Sequence, residues 1–323
     1  MRTIALEEHF ASRMFLDTIG MHVAGAGDIP TDQLADLGER RLREMDAGGI
    51  DMQVLGHTHF GDAKLDVEQQ RVITVAANDQ AAAAVAAHPD RFAAFAALPM
   101  SDPEAAVREL TRAVEELGFA GAMINGLTDG RFLDDPALFS VLDRAARLRV
   151  PIYLHPGFPP EAVVREYYSG PLPADAAFAL STTAWGWHSE TGLHVLRMIT
   201  AGVFDRLPEL QLIIGHMGEM VPFMLDRIER WLTPCTRRAG LQRTVAETFR
   251  QNIFITTSGM FSVPPFQLAL QTMGVDRVLF SVDYPYSEIA EARQFVDNLP
   301  LGRADLEKIS HANAERLLRL PSR

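Results

Sequence analysis

The sequence predicts a closed parallel (β/α)8 barrel. Three observations carry that expectation. Short β-rich runs alternate with longer helix-periodic segments along the whole chain, eight such pairs fit its 323 residues, and polar residues stand at the C-terminal ends of several strands. Barrels of this length fold as one unit, and no low-complexity linker or shift in composition divides the chain, so one barrel domain over residues 1–323 is expected.

Strand one, residues 3–10, is an apolar run that ends in Glu7-Glu8-His9. Side chains alternate along a strand, so Glu7 and His9 share one face and Glu8 takes the other, where it is dispensable for metal binding. A long irregular loop follows over residues 11–31, with Gly20, Gly25, Gly27 and Pro30. Residues 32–47 read as a helix closed by Gly48-Gly49. Strand two, 51–55, leads into Gly56-His57-Thr58-His59, and 66–88 is helical. Strand three is 91–98, and the helix after it, 103–117, has Pro103 in its first turn. Strand four, 119–124, ends at Asn125-Gly126, and 134–148 is helical. Strand five, 151–154, ends at His155-Pro156-Gly157.

A second long loop, 158–187, contains Tyr167, Tyr168, Trp185 and Trp187 and reads as a lid or wall. The helix 190–204 and strand six, 212–215, come next, the strand ending at His216. Glu219 opens the helix 220–232, and a further helix spans 245–251. Strand seven, 253–256, ends near Thr257-Ser258 and is followed by the helix 265–273. Strand eight, 278–282, ends at Asp283, and closing helices begin at Ile289, Ala304 and Asn313.

Composition narrows the partners. With 47% apolar residues, a formal charge of −12 and acidic residues spread throughout, the surface suits neither nucleic acid nor an anionic membrane. Cys235 is the single cysteine, which excludes an internal disulfide. Residues 1–15 carry acidic groups where a secretory signal needs a basic flank, and no run reaches transmembrane length; the cytoplasm is the expected location.

Glu7, His9, Asn125, His155, His216 and Asp283 all fall at strand ends on one face of the expected barrel. Singly, each reads as a charged strand end or a hydrogen-bonded rim residue. Together, imidazoles and carboxylates at one mouth are the ligand set of zinc, manganese or iron. A bridged pair of metals in such a barrel needs a lysine at the end of strand four. The only lysines are Lys64 and Lys308, so one metal ion is expected.

The runs Ala5-Leu6-Glu7-Glu8-His9-Phe10, Tyr153-Leu154-His155-Pro156, Gly215-His216-Met217-Gly218-Glu219 and Phe280-Ser281-Val282-Asp283-Tyr284-Pro285-Tyr286 closely resemble the amidohydrolase-superfamily decarboxylases. Gly121 to Gly126, Glu190-Thr191 with His194, and Asn313 to Leu317 extend the resemblance over most of the chain. The Glu-x-His opening is similar to the γ-resorcylate and 2,3-dihydroxybenzoate decarboxylase branch, with 5-carboxyvanillate decarboxylase nearby; aminocarboxymuconate-semialdehyde decarboxylase opens with His-x-His. The resemblance implies that Glu7, His9, His155 and Asp283 bind the metal, zinc or manganese. It places His216 beside the substrate, oriented by Glu219, with Arg227 near the substrate carboxylate and Asn125 near the substrate. It also supports a homodimer or homotetramer. Departures are Gly157, where many relatives carry arginine, Tyr284 in place of a frequent tryptophan, and the His57-Thr58-His59 stretch, whose histidines read as rim residues.

The implied reaction is non-oxidative decarboxylation of a 2-hydroxybenzoate. Direct loss of carbon dioxide leaves an aryl anion with no place for its charge, so the ring carbon is protonated first. A metal-held carboxylate and ortho phenolate make that carbon basic enough. Asp283 is the expected proton donor, with His216 acting on the phenol and Glu219 fixing its tautomer. Tyr286 and Trp185 or Trp187 are the aromatic residues expected to touch substrate. No organic cofactor is needed, and the reaction is reversible. The alternatives are a metal-dependent hydrolase of a lactone or amide on the same barrel, and an inactive barrel that binds an aromatic acid.

Overall fold

Strands β1 (Ile4–Phe10), β2 (Met52–His57), β3 (Phe92–Ala96), β4 (Gly121–Asn125), β5 (Ile152–His155), β6 (Leu212–Ile214), β7 (Ile253–Thr256) and β8 (Val278–Leu279) form one parallel sheet in chain order. They come from a computed structural model that describes residues 1–19, 30–58 and 65–321. Helical segments connect successive strands, giving the α/β barrel the sequence predicts. Among the described residues no helix is long and apolar enough to cross a membrane.

Both faces of the strands are buried, which is why they read as nearly continuous apolar runs. Inside the barrel, Leu6, Val54, Phe95, Met123, Tyr153, Ile213, Phe254 and Leu279 form one cluster. The intervening residues, among them Leu55, Ala94, Ile124, Leu154, Ile214 and Ile255, pack in the cluster shared with the surrounding helices. The inward parity continues past the packed layer: Met123 leads to Asn125, Tyr153 to His155, and Leu279 through Ser281 to Asp283. The polar residues are thus the next inward positions once the apolar filling stops.

β1 departs from simple alternation. Ala5 pairs with Gln53 and Glu8 with Leu55, so β1 spends three residues where β2 spends two. This bulge lets neighbouring Leu6 and Glu7 both face the barrel interior, after which Glu8 points out and His9 in.

The seam between β8 and β1 is closed by side chains and one backbone hydrogen bond. Glu8 Oε1 accepts from Val282 N–H at 2.9 Å and from Ser281 Oγ at 3.1 Å, Ser281 Oγ accepts from Glu7 N–H at 2.6 Å, and His9 N–H donates to the Tyr284 carbonyl at 2.7 Å. Glu8 Oε2 takes Gln53 Nε2 at 3.2 Å, and the buried Arg41 donates to the His9 carbonyl at 2.5 Å beneath the Tyr284 ring. Burial pushes the Glu8 carboxyl up to about 7 against these hydrogen bonds. Glu8 does face away from His9's partners, as alternation requires, yet it anchors the two residues that precede Asp283. Glu8→Ala strands three donors and is expected to destabilise the fold by about 3 kcal/mol and to weaken metal binding, read by urea unfolding and metal titration.

Several predicted boundaries shift. The helix expected over 32–47 is two helices, Thr31–Ala35 and Glu39–Gly48, because Arg41 draws the carbonyls of Gln33 and Asp36 out of the helical ladder (3.3 and 2.9 Å). The loop expected over 11–31 contains the helix Arg13–Ile19; Gly20, Gly25 and Gly27 lie outside the described residues. The loop over 158–187 holds the helices Glu161–Tyr167 and Ala174–Ser181, and the next helix, Gly186–Thr200, begins inside it. That helix ends before 204 because Gly202 is left-handed (φ +72°). β8 ladders only through Leu279; beyond it Ser281 bonds to the Thr257 hydroxyl instead (2.9 and 3.0 Å).

Candidate metal centre and active site

One ligating atom from each of Glu7, His9, His155 and Asp283 lies within 4.8 Å of the others. Glu7 Oε1 is 3.2 Å from His155 Nε2, and His9 Nε2 is 3.2 Å from Asp283 Oδ1. Local features hold each residue. The Tyr153 hydroxyl donates to Glu7 Oε2, fixing which oxygen is left for the centre. A Cβ at Gly215 would lie 2.7 Å from that same oxygen, so β6 must end in glycine for the Glu7 carboxylate to fit. His155 Nδ1 sits 2.8 Å from the Pro156 carbonyl, which makes it the protonated nitrogen and frees Nε2 as the ligand.

The donor set fits a divalent cation. Glu7 Oε1 and His9 Nε2, which face the cluster, are buried without a hydrogen-bond partner, a costly arrangement unless an ion completes it. Burial opposes the charge on Glu7, but the imidazoles of His216, His155 and His9 overturn this and hold its carboxyl well below the usual range. Burial keeps His9 neutral, the form that ligates. Burial also opposes protonation of His155, but the Glu7 carboxylate and Asp283 raise it; the same negative potential favours a metal ion.

His216 stands at the edge of this centre, Nε2 3.7 Å from Asp283 Oδ2 and 3.9 Å from Glu7 Oε1. Its backbone is unusual: His216, Met217, Gly218, Glu219 and Met220 all have φ between +49° and +88°. A left-handed turn costs about 1–2 kcal/mol per non-glycine residue, and such strain collects at functional sites. The turn places Glu219 Oε1 2.8 Å from His216 Nδ1. Gly218 is required at its tightest point, where a Cβ would meet Pro222 at 2.8 Å. Despite burial, Glu219, Glu7 and Asp283 push His216 well above its ordinary value.

Glu219 has a second partner that the sequence reading missed: His188 Nδ1, 2.7 Å from Oε2. His188, His216 and Glu219 also form a metal-like group. Their hydrogen bonds already satisfy one another, however, whereas the Glu7–His9 atoms are unpaired. The metal reading therefore belongs to the first cluster alone.

A cavity of about 380 Å³, a size suited to a small ligand, is lined by Thr58, Leu98, Met123, Asn125, Thr128 and Phe158 among others. It adjoins the metal centre through Asn125, which pairs with His155 in the sheet and whose Oδ1 is buried without a partner. Tyr286 bonds Thr58 Oγ1 at 3.0 Å, its ring 5.4 Å from that of His9. Trp187 packs edge-on to Phe158 with Nε1 unpaired, while Trp185 is half exposed at the start of the same helix. His57 accepts from Ser12 N–H at 3.0 Å between the Phe10 and Phe15 rings and also lines the cavity. His59 lies outside the described residues. Arg227 is on the exposed face of the helix Val221–Arg238, over Trp231 (5.4 Å), and makes no hydrogen bond to the centre among the described residues.

His194, on the helix Gly186–Thr200, accepts from Leu133 N–H at 2.7 Å and is pushed by burial down to about 3. Below its ordinary value of 6.5 the unfolded chain binds a proton that the folded chain refuses until about pH 3. Stability present above pH 6.5 is therefore lost on acidification, by about 2 kcal/mol at pH 5. Glu8, raised to about 7, titrates with the opposite sign over the same range, so the check is the difference between proteins: in urea titrations at pH 7 and pH 5, wild type should fall relative to His194→Gln by this amount.

The sequence and fold have relatives among known proteins. Decarboxylase orsB of Emericella nidulans is 39% identical over 98% of this chain and 97% of its own length. The γ-resorcylate decarboxylase of Rhizobium radiobacter is 37% identical over 99% of both. A dihydroxybenzoic acid decarboxylase from Polaromonas sp. JS666, solved with bound manganese and 2-nitroresorcinol, superposes with a TM-score of 0.87 at 35% identity, covering 100% of this chain and 98% of that one. A family profile described as amidohydrolase matches residues 15–320. The chain belongs to the amidohydrolase family, closely related to the γ-resorcylate decarboxylases.

Proposed function

We propose that the protein is a metal-dependent, non-oxidative decarboxylase of a hydroxylated aromatic acid of the 2-hydroxybenzoate type. The observation that carries this reading is the double placement of Asp283. It stands in the four-residue ligand cluster and also faces His216, so one carboxyl group borders both the cation and the proton-handling pair. The relatives named as decarboxylases of resorcylate and dihydroxybenzoate support it.

Glu7, His9, His155 and Asp283 would hold a single zinc or manganese ion. When bound, the ion supplies positive charge that anchors the substrate carboxylate and an ortho phenolate. Asn125 and Tyr286 position the ring from the cavity side, with Trp187 as part of its wall. His216 takes the phenol proton, held in register by Glu219, and passes it to Asp283. Asp283 delivers that proton to the ring carbon bearing the carboxylate. The carbon–carbon bond then breaks, its electron pair returns to the ring, and carbon dioxide leaves as aromaticity is restored. The phenolate recovers a proton from solvent.

A second copy of the chain is the proposed macromolecular partner. Phe223 (74% exposed), Met224, Arg227 and Trp231 (59% exposed) line one face of the helix Val221–Arg238, an apolar stripe suited to a symmetric contact. The cytoplasm is the proposed location.

The test is to incubate the zinc- or manganese-loaded protein with a panel of 2-hydroxybenzoates and with lactones. Carbon dioxide release from at least one acid is expected; lactone opening with no carbon dioxide would replace this reading with the hydrolase.

A further inference from the structure

His188 takes no part in the proton path above, yet it is bound at both ring nitrogens. Nδ1 lies 2.7 Å from Glu219 Oε2, and Nε2 lies 2.9 Å from the Thr183 carbonyl. A carboxylate only accepts hydrogen bonds, so Nδ1 carries the hydrogen that binds Glu219. On the far side of the same carboxylate, Oε1 takes His216 Nδ1 at 2.8 Å. The two rings meet edge to face, centroids 4.8 Å apart.

Packing builds this spacing into the fold. The helix that carries His188 presses Gly192 against the Glu219 backbone so closely that a Cβ there would lie 2.8 Å from the Glu219 carbonyl oxygen. The Glu219 side chain is fully buried, so without His188 one of its oxygens has no partner and no water. The left-handed turn supplies no regular helical ladder to fix the His216 ring, which leaves the Glu219 carboxylate to orient it.

We propose that His188 is a positioning residue: by holding Glu219 Oε2 it sets the plane of the carboxylate, and Oε1 then fixes His216 with Nδ1 protonated and Nε2 turned toward Asp283. The proposal rests on the decarboxylase reading for its kinetic consequence, but not for its geometry. Glu219 becomes a relay between two imidazoles, and the helix Gly186–Thr200 becomes part of the proton-handling apparatus.

The experiment compares wild type with His188→Gln, whose amide still donates to Glu219, and His188→Leu, which fills the volume without donating. Kinetics are read on the metal-loaded enzyme, and the histidine ring N–H resonances of ¹⁵N-labelled, zinc-loaded protein are read by NMR. In the wild type, strongly deshielded ring protons are expected on His188 Nδ1 and on His216 Nδ1. His188→Leu should lose the His216 signal and lower kcat by about tenfold or more with KM and metal content unchanged, and His188→Gln should restore most of both. A wild-type spectrum with no ring proton on His188 Nδ1 overturns the proposal, and does so even if the leucine variant fails to fold. So does a leucine variant that keeps the His216 signal and its kcat. So does a second zinc ion that displaces these protons. Failure of the functional reading is separate: no carbon dioxide from any acid, with the spectra as expected.

Discussion

Asp283→Asn lowers kcat by about 10³-fold while the protein stays folded. Asparagine has no proton to give the ring carbon, which is the whole of the expected loss if Asp283 is the donor. The fold should tolerate it, since residue 283 is left-handed (φ +75°) and asparagine is one of the few residues at ease there. The amide oxygen also remains available to the metal and the amide nitrogen to solvent. The variant should melt within a few degrees of wild type and still take up metal, and carbon dioxide release should be the property that fails. Near-wild-type kcat would remove Asp283 from the donor role.

Glu7→Gln strikes the metal rather than the proton. Of the two carboxylates in the cluster, Glu7 is the fully buried one, and its Oε1 is among the atoms left without a hydrogen-bond partner. Removing one unit of negative charge at about 4 Å costs on the order of 4 kcal/mol at an effective dielectric of 20, about 10³-fold in affinity. The glutamine oxygen still accepts from the Tyr153 hydroxyl, so the surroundings stay paired. Competition against a chelator should show the weakened binding, and activity should return only at high metal concentration. Stripping metal from wild type with the same chelator should abolish turnover and restore it on readdition.

The barrel itself is legible because its strands are buried on both faces, so each appears as an apolar run with a polar stop, and the helices between them have ordinary start and stop signals. What escapes the sequence is set by contacts between distant elements. Alternation puts Glu7 and His9 on one face, but it hides that Leu6 faces the same way, because the bulge is fixed by β2. It assigns Glu8 to the opposite face without revealing that Ser281, Val282 and Gln53 depend on it. The break at Asp36 follows from a buried Arg41, and nothing local in that helix pattern announces it. His188 falls between the loop read as a wall, 158–187, and the helix expected from 190; the close approach at Gly192 brings it to Glu219. Met217 and Met220 carry no sign of a left-handed backbone, which the surrounding structure imposes on them.

Replacement of the carboxylate by a proton at the same ring carbon, with release of carbon dioxide, is the core of the account. Turnover of a 2-hydroxybenzoate by the metal-loaded enzyme in D2O tests it most directly. One carbon dioxide per turnover and one deuterium in the phenol, at the carbon that lost the carboxylate, is the predicted result. Product without deuterium at that carbon, or turnover without carbon dioxide, would contradict it.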